Sequence, residues 1–315
     1  MPGAAAEPPD APRSLIGRLS DSDLVASFLS SKVTVAAGAI TLIMALAAVF
    51  APLIAPTDPF NPATNFLVDS LTPPRFVAGG DPRFLLGADD QGRDMWSAIL
   101  YGLRVSLLIG LSSVMLAGAI GVTLGLIAGY AGGWIDAVVM RVADVQLTFP
   151  AILIALLLDG LAQALLKSAS REDTAFGVLV VSIGLSFWVQ YARTVRGSTM
   201  VEKSRDYVQA ARLIGLSPAA ILIRHILPNV MGPVLVIATI NLALAIITEA
   251  TLSFLGVGLP PTQPSLGTLI RIGQNFLFSG EWWIVTFPSL TLAILVLAVN
   301  LLGDWLRDAL NPRLT

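Results

Sequence analysis

Apolar residues in this chain run in long unbroken blocks, and six of the blocks are long enough to cross a lipid bilayer: 33–55, 105–130, 138–158, 175–191, 230–257 and 283–303. A helix in hydrocarbon needs roughly 20 mostly apolar residues, because every backbone N–H and C=O has to be satisfied inside the segment itself. The fourth block is the shortest, and the third carries Arg141 and Asp144 in its first turns. The pattern therefore predicts an all-α, polytopic membrane protein with about six transmembrane helices.

The polar stretches between the blocks give the rest of the layout. Residues 1–32 form an N-terminal tail whose first 19 residues, rich in Pro, Ala and Gly, predict disorder. Block 33–55 exceeds the 7 to 15 residues typical of a signal-peptide core and reads as a retained helix. An extramembrane segment, 56–104, follows, with prolines at 56, 59, 62, 73, 74 and 82 that predict an ordered but irregular cap. Residues 105–305 hold the other five helices, including a loop at 193–229, and 306–315 form a C-terminal tail. Residues 259–282, with Pro260, Pro261 and Pro264, predict a second irregular cap, and Trp282 and Trp283 fit an interfacial aromatic belt. Placing the N-terminus in the cytoplasm puts 12 Lys and Arg residues inside and seven outside. Six of the 12 lie in the single loop between the fourth and fifth blocks, so both termini are expected on the cytoplasmic side.

Composition narrows the function. The chain is 55% hydrophobic and only 13% charged, with mean hydropathy +0.78, where a soluble domain carries about 25% charged residues. Net charge is −2, so no basic face for nucleic acid is implied. Cysteine is absent and His225 is the sole histidine, which leaves no material for a thiolate or His-rich metal site. No cofactor of its own is expected. An intramembrane hydrolase would need a dyad or metal set within the spans, and neither His, Cys nor a Gly-x-Ser-x-Gly sequence occurs there.

The loop at 193–229 carries the densest local signals. Asp206 with Gln209 three places on has the form of a capping box, predicting a helix start. Gly215 suits the left-handed position after a helix end, Ser217 and Pro218 supply an N-cap and N1 proline for a second helix, and Pro228 predicts its end. Two short amphipathic helices at the membrane face follow. Ala210, Ala211 and Gly215 would admit close backbone approach by another protein, and Leu213, Ile214, Ile221 and Leu222 offer apolar contact. A surface linker that merely happens to be helical is the competing reading.

This loop, Gln209-Ala-Ala with Gly215 four residues after Ala211 and then Ile226-Leu227-Pro228, resembles the EAA coupling loop of ABC importer permeases. Gln209 stands where that family has Glu, which keeps the hydrogen-bonding chemistry and loses a negative charge. Further segments resemble the C-type permease of the dipeptide, oligopeptide and nickel group: Leu86-Gly-Ala-Asp-Asp-Gln-Gly-Arg-Asp94, Tyr101-Gly-Leu-Arg-Val-Ser106, Gly129-Tyr-Ala-Gly-Gly133, Leu252-Ser-Phe-Leu-Gly-Val-Gly258 and the segment from Asn300 to Pro312. The resemblance implies the type I ABC importer permease fold in a bacterial inner membrane. It also implies a B-type permease forming the other half of the pore, two cytoplasmic ATPase subunits that hold ATP and Mg, and an extracytoplasmic substrate-binding protein. The cargo would be a di- or oligopeptide or a related small solute.

None of the three lysines, Lys32, Lys167 and Lys203, completes a P-loop, so ATP hydrolysis is expected in partner subunits and not here. Polar groups inside the spans mark either the translocation path or helix packing: Glu249, Asn241 two turns before it, and Asn300. Arg141 and Asp144, at i and i+3, predict a mutual ion pair, and Pro150 a kink. Gly121, Gly125 and Gly129 repeat every four residues, the spacing of a close helix contact in this chain or against a partner. Asp89, Asp90, Arg93 and Asp94 suit solvated charges, internal caps, or contacts with a binding protein or substrate. An ion-gradient-driven secondary transporter is the alternative; it would use acids such as Glu249 and often shows repeated halves, which this chain lacks.

Overall fold

The computed structural model describes residues 23–61, 65–165 and 171–310; the expected tails before 23 and after 310 lie outside them. The described residues are helical, with one isolated β-bridge between Ala88 and Asp94 and no strand. In chain order the helices are α1 (Asp23–Ser30), α2 (Lys32–Val49), α3 (Ala51–Ile54), α4 (Met95–Ala131), α5 (Gly133–Leu147), α6 (Ala151–Leu165) and α7 (Arg171–Glu202). They continue as α8 (Asp206–Leu213), α9 (Pro218–Ile221), α10 (Leu227–Phe254), α11 (Leu266–Gln274) and α12 (Trp283–Ala309). Five of these segments are long and apolar enough to cross a membrane, or six if the bent pair α5 and α6 is one span.

The expected third span is broken where the sequence predicts a kink. Helix α5 stops at Leu147, the chain turns through Thr148 and Phe149, and α6 leaves at 92°. Pro150 has no N–H to continue α5, and its carbonyl instead accepts from Leu153 and Ile154 to open α6. Three other helices run beyond their apolar blocks. Helix α4 starts ten residues before the apolar block because the Asp94 carboxylate caps it, accepting from Ser97 N (2.8 Å) and Ser97 Oγ (2.6 Å). Polar positions such as Ser97, Tyr101 and Arg104 hid that first stretch from a hydropathy reading. Helix α7 extends past 175–191 at both ends, so Arg193 and Arg196, expected in a loop, sit on it; α12 runs on past 303 to Ala309.

At 37 residues α4 is about 55 Å long, well beyond the roughly 30 Å of hydrocarbon, and it is the spine of the molecule. Against it lies α7, and the glycine spacing is the reason they fit. A Cβ on Gly121 would stand 2.3 Å from Trp188 O, on Gly125 2.6 Å from Ala192 O, and on Gly129 2.8 Å from Arg196 O. Four-residue steps on one helix thus meet four-residue steps on the other, within this chain. Helix α10 packs on both, its Ile246 filling the notch at Gly110, and α2 and α12 close the bundle around Met95, Leu103, Leu266 and Leu295.

The two ends of the bundle differ. One end is capped by residues 55–61 and 65–94 and by 255–282. There Arg83 pairs with Asp69 (2.6 Å) and Asp81 (2.8 Å), holding the Asp81 carboxyl below its usual range, and Trp283 Nε1 donates to Ala88 O (3.1 Å). The second cap is less irregular than its prolines suggest: Ser265 accepts from Thr268 N (3.2 Å) and starts α11, beyond the last of them. The other end carries the connection from α7 through α8 to α9.

Replacing Gly125 with Leu forces backbone apart along the α4–α7 seam and is expected to destabilise the protein by about 1–3 kcal/mol. The check is the melting temperature of the purified protein in detergent, with Gly160→Leu as control, since a Cβ there meets nothing within 4 Å.

Candidate functional site

Helix α7 ends at Glu202, and the turn that follows places Arg205, not Asp206, at the cap of α8: the Arg205 carbonyl accepts from Val208 N (3.0 Å) and Gln209 N (3.1 Å). The capping box expected from Asp206 and Gln209 is therefore not formed. Asp206 lies in the first turn, where its charge suits the helix dipole, and Gln209 Nε2 donates to Lys203 O (3.1 Å), tying α8 back to the end of α7.

The far end of α8 is as the sequence predicts. Gly215 adopts φ +82°, Gly215 N donates to Arg212 O (3.0 Å) and Leu216 N to Ala211 O (3.1 Å), the paired bonds of a Schellman stop. Ser217 caps α9 by accepting from Ala220 N (3.3 Å), with Pro218 at its first position. Pro228 does not end that helix. Residues Leu222–Ile226 widen into a π turn, Leu227 N donates to Leu222 O, and helical backbone runs from Pro218 to Phe254. Lacking an N–H, Pro228 is accommodated in the turn just after this wider stretch.

Burial sorts the side chains of the hairpin. Val208, Ala211, Ile221 and Ile226 face the core, so the smallness of Ala211 and the apolar surface of Ile221 serve the chain's own packing. Leu222 and Leu227 are half-buried, and Gln209, Ala210, Ser217 and Pro218 are exposed. Leu213 and Ile214 project into the open at 88% and 77% exposure, on either side of the stop that Gly215 makes.

This exposed tip is fastened to the spine. Lys203 Nζ donates to Gly129 O (2.8 Å) at the end of α4, and the Arg212 guanidinium lies 5.2 Å over the Tyr130 ring. Arg196 on α7 forms an ion pair with Asp136 on α5, and Arg193 pairs with Asp144 (2.6 Å). The predicted Arg141–Asp144 pair is absent because Arg193 reaches Asp144 from the neighbouring helix. Tyr207 bonds Glu202, and burial followed by that carboxylate pushes its hydroxyl above the usual range.

Within the bundle, Glu249 is completely buried and anchors a polar knot. Its Oε2 accepts from Ser106 Oγ on α4 (2.8 Å) and its Oε1 from Ser253 Oγ on α10 (2.7 Å), while Leu266 N at the start of α11 donates to Ser106 Oγ (3.3 Å). The geometry favours packing over an open path for this residue. The serines were not singled out from the sequence, although two of its motif segments, ending Val105-Ser106 and starting Leu252-Ser253, meet here. Asn241 is also fully buried, beside the Tyr191 hydroxyl of α7 but in no hydrogen bond of regular geometry, and Asn300 is half-buried on α12; the three residues form no common site. Asp89, Arg93 and Asp94 are buried internal contacts and not solvated charges: Asp89 Oδ2 accepts from Arg93 Nε at 2.6 Å.

Apolar helices long enough to span a bilayer, capped at one end and bearing an exposed tip at the other, are the architecture of a multi-pass membrane protein. Residues 121–315 match the family described as binding-protein-dependent transport system inner membrane component, and residues 22–74 match the N-terminal transmembrane domain of oligopeptide transport permease C. The chain belongs to this family of inner-membrane transport components. It is 40% identical over 273 residues to the di/tripeptide transport system permease protein of Pseudomonas aeruginosa, covering 87% of this chain and 86% of that one. The dipeptide permease of Haemophilus influenzae is also 40% identical over 273 residues (87% and 88%), and the glutathione transport system permease of Pectobacterium atrosepticum 38% over 287 (91% and 89%). Among solved structures, the inward-facing MetNI methionine ABC transporter shares the fold, with TM-score 0.54 at 20% identity over 69% of this chain and 97% of that one.

Glu249→Ala strands the Ser106 and Ser253 hydroxyls and is expected to cost about 1–3 kcal/mol, read as a lower melting temperature. Glu249→Gln, which retains an acceptor and the shape, should fold normally and transport; a folded Gln variant with abolished uptake would instead place Glu249 in the path.

Proposed function

We propose that this chain is the permease subunit of an ATP-driven importer for di- or oligopeptides, with the hairpin 203–217 as its coupling element. Leu213 and Ile214 carry the reading: two large apolar side chains held almost fully in the open on a charged loop are a docking tip in search of a cleft. The peptide cargo follows from the named relatives, two of which are di- or tripeptide permeases. The hairpin end faces the cytoplasm, as do both termini, and the capped end faces outward. A second, B-type permease completes the pore, two ATPase subunits bind ATP and Mg, and an extracytoplasmic binding protein delivers the peptide.

In this mechanism closure of the ATPase dimer pushes the tip. Lys203 and Arg212 pass the displacement to α4, Gln209 ties the hairpin to the end of α7, and the Arg196–Asp136 pair on α7 carries the movement to α5. The α4–α7 seam has too little space to slip, so the pair swings as one body and opens the pore to alternate sides. Gly215 sets the direction of the tip, and Ser217 with Pro218 sets the departure of the next helix.

The Leu213→Glu/Ile214→Glu double variant should insert and fold normally, yet lose more than tenfold of ATP-dependent peptide uptake in vesicles reconstituted with all subunits and the binding protein. Gly215→Asp should do the same, since a side chain at φ +82° strains the stop and places charge beside the tip. Uptake at the normal level in both variants, or uptake that follows a proton gradient without ATP, would refute the coupling role.

A further inference from the structure

At the capped end, loop 86–94 meets the segment 256–275 around a cavity of about 250 Å³ lined by Asp90, Gln91, Pro261, Arg271, Ile272 and Asn275. The larger neighbouring cavity shares Gln91 with it and is lined also by Arg93. Three charged side chains here hold buried atoms with no partner: Asp90 Oδ1, Arg271 Nε and Arg93 Nη2. Each such atom costs free energy that folding alone does not return.

The charges are sorted in an unusual way. Arg93, 1% exposed, spends Nε on Asp89 and Nη1 on Pro261 O (2.7 Å), so its role in the fold is met and only Nη2 is left. Asp90 and Arg271, of opposite sign and on one cavity wall, form no ion pair with each other. The backbone keeps them apart: Ser70 Oγ donates to Asp90 O (2.9 Å), fixing that loop, and Arg271 is carried on α11 with its Nη1 directed to the backbone at Gly256. Burial and the neighbouring Asp89 raise the Asp90 carboxyl above its ordinary range, against the smaller opposing effects of Arg93 and the Asp90 and Gln91 backbone N–H groups. A small polar cavity with a separated anion and cation selects a ligand that carries both charges at its two ends.

We propose that this cavity is an entry subsite for a short zwitterionic peptide, whose ammonium group lies on Asp90 and whose carboxylate lies on Arg271, with Gln91 and Asn275 available to the peptide amide. The proposal rests on the peptide-import reading and on the capped end facing outward. A subsite of this kind would recognise peptide termini and ignore side chains, and would hold cargo between its release and its passage through the pore.

The test uses the complete transporter in nanodiscs, without binding protein, and equilibrium dialysis with labelled Ala-Ala, N-acetyl-Ala-Ala and Ala-Ala-amide. Arg271→Gln and Asp90→Asn should each weaken Ala-Ala binding about tenfold, the scale of one charge-assisted hydrogen bond. Arg271→Gln should leave Ala-Ala-amide binding unchanged, and Asp90→Asn that of N-acetyl-Ala-Ala. Melting temperatures should shift little, because neither side chain forms an ion pair in the fold and each leaves a buried atom unsatisfied. Equal binding by wild type and variants, or no binding by a transporter that imports Ala-Ala in the full system, overturns the subsite and leaves the permease reading intact. Variants that bind Ala-Ala normally but no longer dock the binding protein would reassign the two charges to that protein and also overturn it. Failure of the full system to import any peptide refutes the import reading separately, since the dialysis result does not depend on it.

Discussion

The close approach of α4 and α7 is the constraint from which the other features follow. Three glycines at four-residue spacing bring the α4 backbone against the carbonyls of Trp188, Ala192 and Arg196, where even one methyl group has no room. In lipid there is little hydrophobic drive to bring two apolar helices together, so shape has to do it, and a seam this tight leaves one register. That register delivers Arg196 to Asp136 and Lys203 to the carbonyl of Gly129. The hairpin is thereby fixed to the end of the longest helix, with two apolar residues exposed at its tip.

The buried polar groups answer to the same constraint. In a membrane interior a carboxyl such as Glu249 is costly unless several donors meet it, and here α4, α10 and α11 meet around it through Ser106, Ser253 and Leu266 N. The knot ties the capped segment to two spanning helices at the end opposite the hairpin. Asp94 and Asp89 act in the same region, one capping α4 and the other holding Arg93, so the acidic run before α4 is structural except for Asp90. Asp90 stands apart because its carboxylate has an oxygen that the fold leaves unsatisfied.

Chain pattern alone settled a good deal. Six apolar blocks imply an all-helical membrane protein, since only internally bonded backbone survives in hydrocarbon. Gly215 implies a left-handed residue and Ser217-Pro218 a helix start, since each depends on the conformation of one or two residues. The glycine repeat implies a close contact, since spacing on a helix is a local property. Other features depended on neighbours that a linear reading does not see. Whether Asp206 or Arg205 caps α8 was decided by where α7 ends. Arg141 lost Asp144 to Arg193 on an adjoining helix, and Pro228 was absorbed because the preceding turn could widen.

What the sequence by itself determined, then, was the material of each segment: which stretches are apolar, where the chain must turn, and which face of α4 is narrow. Only the tertiary structure decided which polar groups are matched, because a hydrogen-bond partner lies across space at a distance set by packing. Glu249 is matched by two serine hydroxyls, while Asn241, two turns away on the same helix, meets the Tyr191 hydroxyl of α7 without a hydrogen bond of regular geometry. The same residue types along one apolar helix thus acquired different fates from the positions of their neighbours.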